Sequence, residues 1–336
     1  MSALLIPMKN KILNLGVATL LLAANSLMAE WEKLPPLPEP VGGFACGADN
    51  GGITVLGGTN WKNGEKQWLQ SISHFDPKTK RWAVIGKLTE PVSYGVCGIR
   101  RSSDGREQFI VLGGSAGKVQ VKALTIVDTV KTVLQPAPSL PEKLVLCAGG
   151  VIGDAFIMAG GTDDAANVAG FTSRAFAFDL TKRSITALPD YPGKPFGIAA
   201  SAVAGGEILV FGGANWDQAT KAVTNTAESY SFSLENKKWR KLKPYPLAVR
   251  APTAVALDEH RVYIAGGYGG EPGAFLSVAY TYDTRTDAYT KATPLPYAAT
   301  LGLVVLDGFV YCLGGEDMMK HRTDEVWRVS VEELLK

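Results

Sequence analysis

Apolar residues in this chain come in short runs rather than at helical spacing. Six such runs, ITVL, FIVL, FIMA, ILVF, VYIA and VYCL, each end in a double glycine, the first glycine of each pair being Gly57, Gly113, Gly160, Gly212, Gly266 and Gly314. A short apolar run bounded by turn residues predicts a buried strand. Downstream of the glycines come segments such as SISHFDPKTKRW, ESYSFSLENKKW and SVAYTYDTRTDAY, in which a strand-like stretch leads through a tight turn to a second strand that opens on an aromatic residue. Proline-rich exits follow, including KLPPLP, ALPDYP, KPYPL and TPLP, and helical patterning is confined to SVEELLK near the C-terminus. The pattern predicts four short antiparallel strands, repeated six times.

A period of about 50 residues is that of kelch repeats. The expected fold is therefore all-β, a six-bladed kelch β-propeller. The last repeat has no tryptophan-plus-proline strand of its own, whereas the N-terminal part carries an orphan of that kind, EWEKLPPLP. The segment Trp31 to Pro38 is expected to pair as the outer strand of the C-terminal blade, closing the ring and removing two free sheet edges.

The first residues differ in kind. Lys9 and Lys11 precede the apolar run ILNLGVATLLLAA, and the small or polar residues NSLMA follow before Glu30. That layout predicts a signal peptide over residues 1–29, cleaved after Ser26 or Ala29, with the propeller over 30–336. The run is shorter than the roughly 20 residues a spanning helix needs. A periplasmic or secreted protein, not held at a membrane after cleavage, is the expectation. The formal net charge of +2 falls to zero once Lys9 and Lys11 are removed, so nothing attracts nucleic acid wholesale. Cys46, Cys97, Cys147 and Cys312 lie in the apolar stretches at like positions of successive repeats, which predicts four buried thiols rather than disulfides.

In a blade of four up-and-down strands, the loop before the innermost strand and the loop after the double glycine open on one face, around the axis. The first set contributes Tyr94 and Arg250; the second contributes Asn60, Trp61, Asn215, Trp216, Tyr268, Glu316 and Arg322. Amides, aromatics, cations and a carboxylate suit a small polar ligand. The three histidines, His74, His260 and His321, lack metal-ligand spacing, and neither a nucleophile elbow nor a phosphate-cradling loop occurs, so no metal and no cofactor is expected.

Two motifs carry a resemblance. GGTNW and FGGANWD place an asparagine-aromatic pair after the glycines, and GGEDMMKHRTDEVW spaces a glutamate and an Arg-Thr-Asp triplet by five residues. In these the chain resembles the kelch-repeat sialic acid mutarotases (N-acetylneuraminate epimerases), and more closely their cyclically permuted branch. The resemblance implies an isomerase that interconverts the α and β anomers of free N-acetylneuraminic acid, a small sugar acid, with Glu316 and Arg322 as the catalytic pair. Glu316 would move a proton during ring opening and closure, a role worth roughly 10²–10⁴ in rate. Arg322 would grip the substrate carboxylate through two parallel hydrogen bonds. Topology adds Arg250 as a second anion contact, Asn60 and Asn215 for hydroxyl or N-acetyl groups, and Trp61, Trp216 or Tyr268 as an apolar wall. Three other readings stand beside this one. They are a non-catalytic propeller that binds a glycan or a partner protein, an isomerase of a neutral aldose, and a plain surface ion pair between Glu316 and Arg322.

Overall fold

Each apolar run becomes the second strand of a four-stranded antiparallel sheet. The computed structural model describes residues 29–49, 51–101, 105, 107–128, 131–136, 140 and 145–336. The predicted signal peptide falls on residues 1–28, outside the described residues, and on Ala29. Six four-stranded sheets are present among the described residues, and they are all but devoid of helix. The first contains Ala45–Asp49, Gly52–Leu56, Ser71–Asp76 and Arg81–Lys87 in that order. The second opens at Val96–Arg101, the third at Ala148–Ile152, the fourth at Ala200–Ala204, the fifth at Thr253–Ala256 and the sixth at Thr300–Leu306. This all-β layering is consistent with a kelch propeller.

The N-terminal segment completes the sixth sheet. Glu32–Leu34 pairs antiparallel with the third strand of that sheet, His321–Ser330, in the register Glu32 with Arg328 and Leu34 with Val326. Trp31 explains the fit. Its indole N–H donates to the Pro294 carbonyl at 2.8 Å, as the indole of Trp239 on the fourth strand of the fourth sheet donates to Pro189 at 2.7 Å. Both tryptophans tie an outer strand to the proline-rich exit of the preceding repeat. The helical patterning of SVEELLK becomes one turn, Val331–Leu334.

The apolar runs lack alternation because both faces of each second strand are buried. Leu209 and Phe211 pack with Val262, Ile264 and Tyr282 of the fifth sheet, while Ile208 and Val210 face Ile157 and Ala159 of the third. Six apolar clusters of this kind lie between sheets, and one joins Tyr311, Leu313 and Val326 of the sixth sheet to Ile53, Val55 and Phe75 of the first. Outer strands are fastened by cross-strand aromatic pairs at one repeated register: Phe75 with Trp82, Phe232 with Trp239, and Tyr282 with Tyr289. Their ring centroids lie 5.1, 5.0 and 4.9 Å apart, within the 4.5–7 Å range in which such pairs attract.

The inner strands use small residues because the sheets converge there. A Cβ at Gly98 would come 2.7 Å from Val151, and one at Gly150 would come 2.8 Å from Val203, each on the next sheet. The four cysteines carry no disulfide. Only Cys312 is buried as expected; Cys46, Cys97 and Cys147 are part-buried on the wall of an axial cavity. Burial pushes the Cys147 thiol up to about 12, so its thiolate is scarce at neutral pH.

Gly57 shows why the double glycine recurs. Its φ is +63°, a left-handed conformation, and a Cβ there would run into the Val92 carbonyl oxygen. Gly64, at the tip of a hairpin, has φ +80° but open space around it. Gly57→Ala should therefore cost about 4 kcal/mol or more, against about 1–2 kcal/mol for the left-handed conformation alone in Gly64→Ala. Urea unfolding of the two variants measures the difference; equal losses would show that close approach to Val92 is not what excludes a side chain.

Candidate functional site

The second glycine of each pair sends the chain into an excursion at one end of the molecule. Two are hairpins, Thr59–Lys62 with Glu65–Trp68 and Ser115–Ala116 with Val119–Gln120. Two add a strand from the segment that leads into the inner strand of the same sheet, pairing Phe196–Gly197 with Ala214–Asp217 and Val249–Arg250 with Tyr268–Gly269. In the sixth sheet the strands run on through the glycines, as Phe309–Met318 and His321–Ser330. These excursions surround the mouth of a cavity of about 1160 Å³, lined by the inner strands of all six sheets.

Glu316 and Arg322 both line this cavity. Their side chains form an ion pair at 2.9 Å, Arg322 being 4% and Glu316 27% exposed. That exposure excludes the plain surface pair. Arg322 Nη1 also donates to the His321 carbonyl at 3.0 Å, and Nη2 approaches Thr59 Oγ1 at 3.5 Å. Its Nε–H is buried with no hydrogen-bond partner. A buried donor without a partner costs about 1–3 kcal/mol, so the guanidinium keeps an unmet demand for an acceptor.

Arg250 and Tyr268 line the same cavity and sit opposite each other across a strand pair. The guanidinium stacks 4.5 Å above the Tyr268 ring, and its Nη1 donates to Asn225 Oδ1 at 3.3 Å. Phe275 supports the tyrosine edge-on at 5.3 Å.

The other four predicted residues do not line the cavity. Asn60 folds back to accept the Trp61 amide at 2.7 Å, and Trp61 lies beneath the Lys320 ammonium, 5.6 Å from the ring centroid. Asn215 is buried and donates to the Pro195 carbonyl at 2.9 Å. Trp216 is carried outward on the strand Ala214–Asp217, in register with Val223. Each asparagine side chain is engaged by backbone close to it, Asn60 by the next residue and Asn215 by the segment leading into its own sheet, rather than turned to the cavity.

Three further features shape this mouth: Lys66 and Gly42, which the sequence reading did not single out, and Tyr94, which it placed on this face. Lys66, in GEKQW, lies 5.0 Å from the Trp68 ring and 4.8 Å from the Tyr94 ring. The signal was present, since Lys66 and Trp68 stand two apart on one strand and so share a face. Tyr94 is anchored through its hydroxyl, 3.3 Å from Thr59 Oγ1, the atom Arg322 also approaches. Gly42 makes the third: a Cβ there would come 2.5 Å from both Cδ and Nε of Arg322.

Comparison with known proteins agrees with the architecture. A model of the kelch motif matches residues 250–296. Kelch-like protein 35 of Mus musculus is 30% identical over 151 residues, 45% of this chain and 23% of the relative. Kelch-like protein 36 of Bos taurus is 24% identical over 279 residues, 80% of this chain and 42% of the relative. Beta-scruin of Limulus polyphemus is 27% identical over 135 residues, 39% of this chain and 14% of the relative. The chain spans less than half the length of these relatives. It is a kelch-repeat protein. Relatives of the chain are named kelch-like proteins, and not sialic acid mutarotases. They overturn the expectation of an epimerase.

Because Gly42 leaves the space that Arg322 fills, Gly42→Ala should push the guanidinium off its seat while leaving the sheets intact. A crystal structure of the variant should show it displaced by about 1 Å or more, the distance needed to restore ordinary van der Waals separation. A guanidinium still paired with Glu316 at its original position would refute this role for Gly42.

Proposed function

We propose that this kelch-repeat protein is a non-catalytic binding module. Its six sheets would form a six-bladed propeller, closed by the N-terminal strand, and the mouth of the axial cavity would receive a ligand bearing a carboxylate. Support for closure comes from the apolar cluster between the sixth and first sheets and from the amide of Gly315, which donates to Val41 at 2.7 Å.

One observation carries the binding reading: the Arg322 guanidinium stands at a cavity wall, and among the described residues Glu316 is the one counter-charge that pairs with it. A planar guanidinium is matched by a planar carboxylate that accepts two parallel hydrogen bonds. Glu316 then acts as an internal stand-in, holding Nη1 in the empty site and giving way when an external carboxylate arrives. Arg250, stacked on Tyr268 and short of a carboxylate of its own among the described residues, is the second contact for the same group. A free sugar acid such as N-acetylneuraminic acid fits a cavity of this size, and Tyr268 and Phe275 offer it an apolar wall.

A second reading places an acidic side chain of a partner protein in the same seat. The kelch-like relatives favour it, and so do Met318, Met319 and Val119, which stand exposed on the excursions around the mouth.

Isothermal titration separates these readings. N-acetylneuraminate should bind and galactose, which lacks the carboxylate, should not. Arg322→Met should weaken the sugar acid by about 100-fold, in line with the loss of a charge-assisted pair of about 3 kcal/mol. Glu316→Gln should leave binding intact or tighten it, since the competing anion is gone. Equal affinity for galactose, or an unchanged affinity in Arg322→Met, would overturn the carboxylate reading. Acceleration of anomer exchange in freshly released α-N-acetylneuraminate, followed by proton NMR, would overturn the non-catalytic one.

A further inference from the structure

Lys66 is the charged group at the mouth that a single carboxylate leaves unused. It is half-buried, it lines the same cavity as Arg322 and Arg250, and no carboxylate pairs with it among the described residues. Its ammonium is held instead between the Trp68 ring at 5.0 Å and the Tyr94 ring at 4.8 Å, and those two rings pack edge-to-face at 6.0 Å. Aromatic faces attract a cation without cancelling its charge. Lys66 is thus fixed in place while its three N–H donors remain available.

The neighbouring residues make this position rigid. Tyr94 has a left-handed backbone with φ +60°, its amide donates to the Gly43 carbonyl at 2.8 Å, and its ring packs against the Gly43 Cα, where any side chain would collide with it. Its hydroxyl meets Thr59 Oγ1, which Arg322 Nη2 also approaches. Arg322, Thr59, Tyr94 and Lys66 therefore form one connected wall, built from the sixth, first and second sheets. Among the described residues that line the cavity at this mouth, three cations, Lys66, Arg250 and Arg322, stand beside one carboxylate, Glu316. Glu107 and Asp307 also line the cavity, but they lie at the turns that close its opposite end, where Glu107 pairs with Arg101 at 2.6 Å.

We infer that the mouth is built for a ligand with two acidic groups, a carboxylate on Arg322 and a second oxyanion, such as a phosphate or sulfate ester, on Lys66. The inference rests on the carboxylate reading above and adds a second anion position to it. A ligand of charge −2 balances the two positive charges that Glu316 leaves uncompensated, and a monoanion leaves one of them without a partner.

Titration calorimetry of the full chain at low salt tests it, with N-acetylneuraminate as the single-acid probe and its 9-phosphate as the double-acid probe. The phosphate ester should bind about tenfold more tightly, or more, the increment of one further charge-assisted contact. Lys66→Gln should bring the ester down to the affinity of the plain sugar acid while changing the latter by less than about twofold, and Lys66→Arg should restore the gain. Equal affinity of the two probes in the wild type, or an equal loss of both in Lys66→Gln, would overturn the second position and leave the carboxylate reading standing. Failure of both probes to bind would remove the carboxylate reading, and this inference with it.

Discussion

One backbone hydrogen bond, repeated from sheet to sheet, holds this molecule in register. The amide of the second glycine in a pair donates to the residue that leads into the next inner strand: Gly58 to Val92, Gly161 to Phe196, Gly213 to Val249, Gly267 to Ala299 and Gly315 to Val41, at 2.7 to 3.0 Å. Both glycines of each pair adopt positive φ, which turns the chain sharply enough for the bond to form. Each bond sets the excursion of one sheet beside the opening of the next. The segments that carry Lys66, Tyr94, Arg250, Tyr268, Glu316 and Arg322 are thereby gathered at one end of the cavity. Function on such a frame is a property of the side chains at that end.

The setting of Arg322 follows from this arrangement. Its ion-pair partner comes from its own sheet, but the space it occupies is left by Gly42 and the hydroxyl beneath it belongs to Thr59. Three pieces of chain, two of them near the opposite terminus, meet because the sixth sheet packs on the first. The sixth sheet also departs locally from its neighbours. A series of amides runs around the mouth, from Tyr94 to Gly43, Leu146 to Tyr94, Ile198 to Leu146 and Ala251 to Ile198, each donor residue in the left-handed region. At the sixth sheet that position holds instead a bulge between Thr300 and Gly302, and Thr300 pairs with Glu316. Bulges re-aim side chains, and this one brings Glu316 onto the cavity wall within reach of the guanidinium.

The architecture was legible because it is written in residues whose role is local. An apolar run without alternation means two buried faces, a double glycine means a turn no other residue accommodates, and an orphan Trp31 implies an outer strand in search of a sheet. The pairing of Glu32–Leu34 with the sixth sheet followed from that arithmetic alone. Glu316 and Arg322 were singled out by the resemblance, and the structure pairs them across a short hairpin. What failed to read through was the direction of side chains with a choice of partners. Asn60 and Asn215 have the right chemistry for sugar hydroxyls, yet backbone groups within reach claim them first. Lys66 did not stand out in the sequence, because the second ring that holds it comes from Tyr94 in another repeat. The epimerase expectation rested on two short motifs, and the wider comparison with kelch-like relatives did not sustain it.

The means of restraining these cations decides what the mouth can do. A carboxylate would hold Lys66 or Arg250 equally well but would neutralise it, and a neutral wall attracts no anion. Aromatic faces at 4.5 to 5.0 Å orient both groups and leave the charge in place. The chain as a whole is close to electroneutral, so this local excess is screened within about 8–10 Å in physiological salt. Attraction is therefore confined to a ligand already at the mouth, where concave walls concentrate the field. Discrimination follows from the same geometry. A neutral sugar offers Arg322 hydroxyl acceptors but no charge, whereas an acid offers a planar anion that matches the guanidinium.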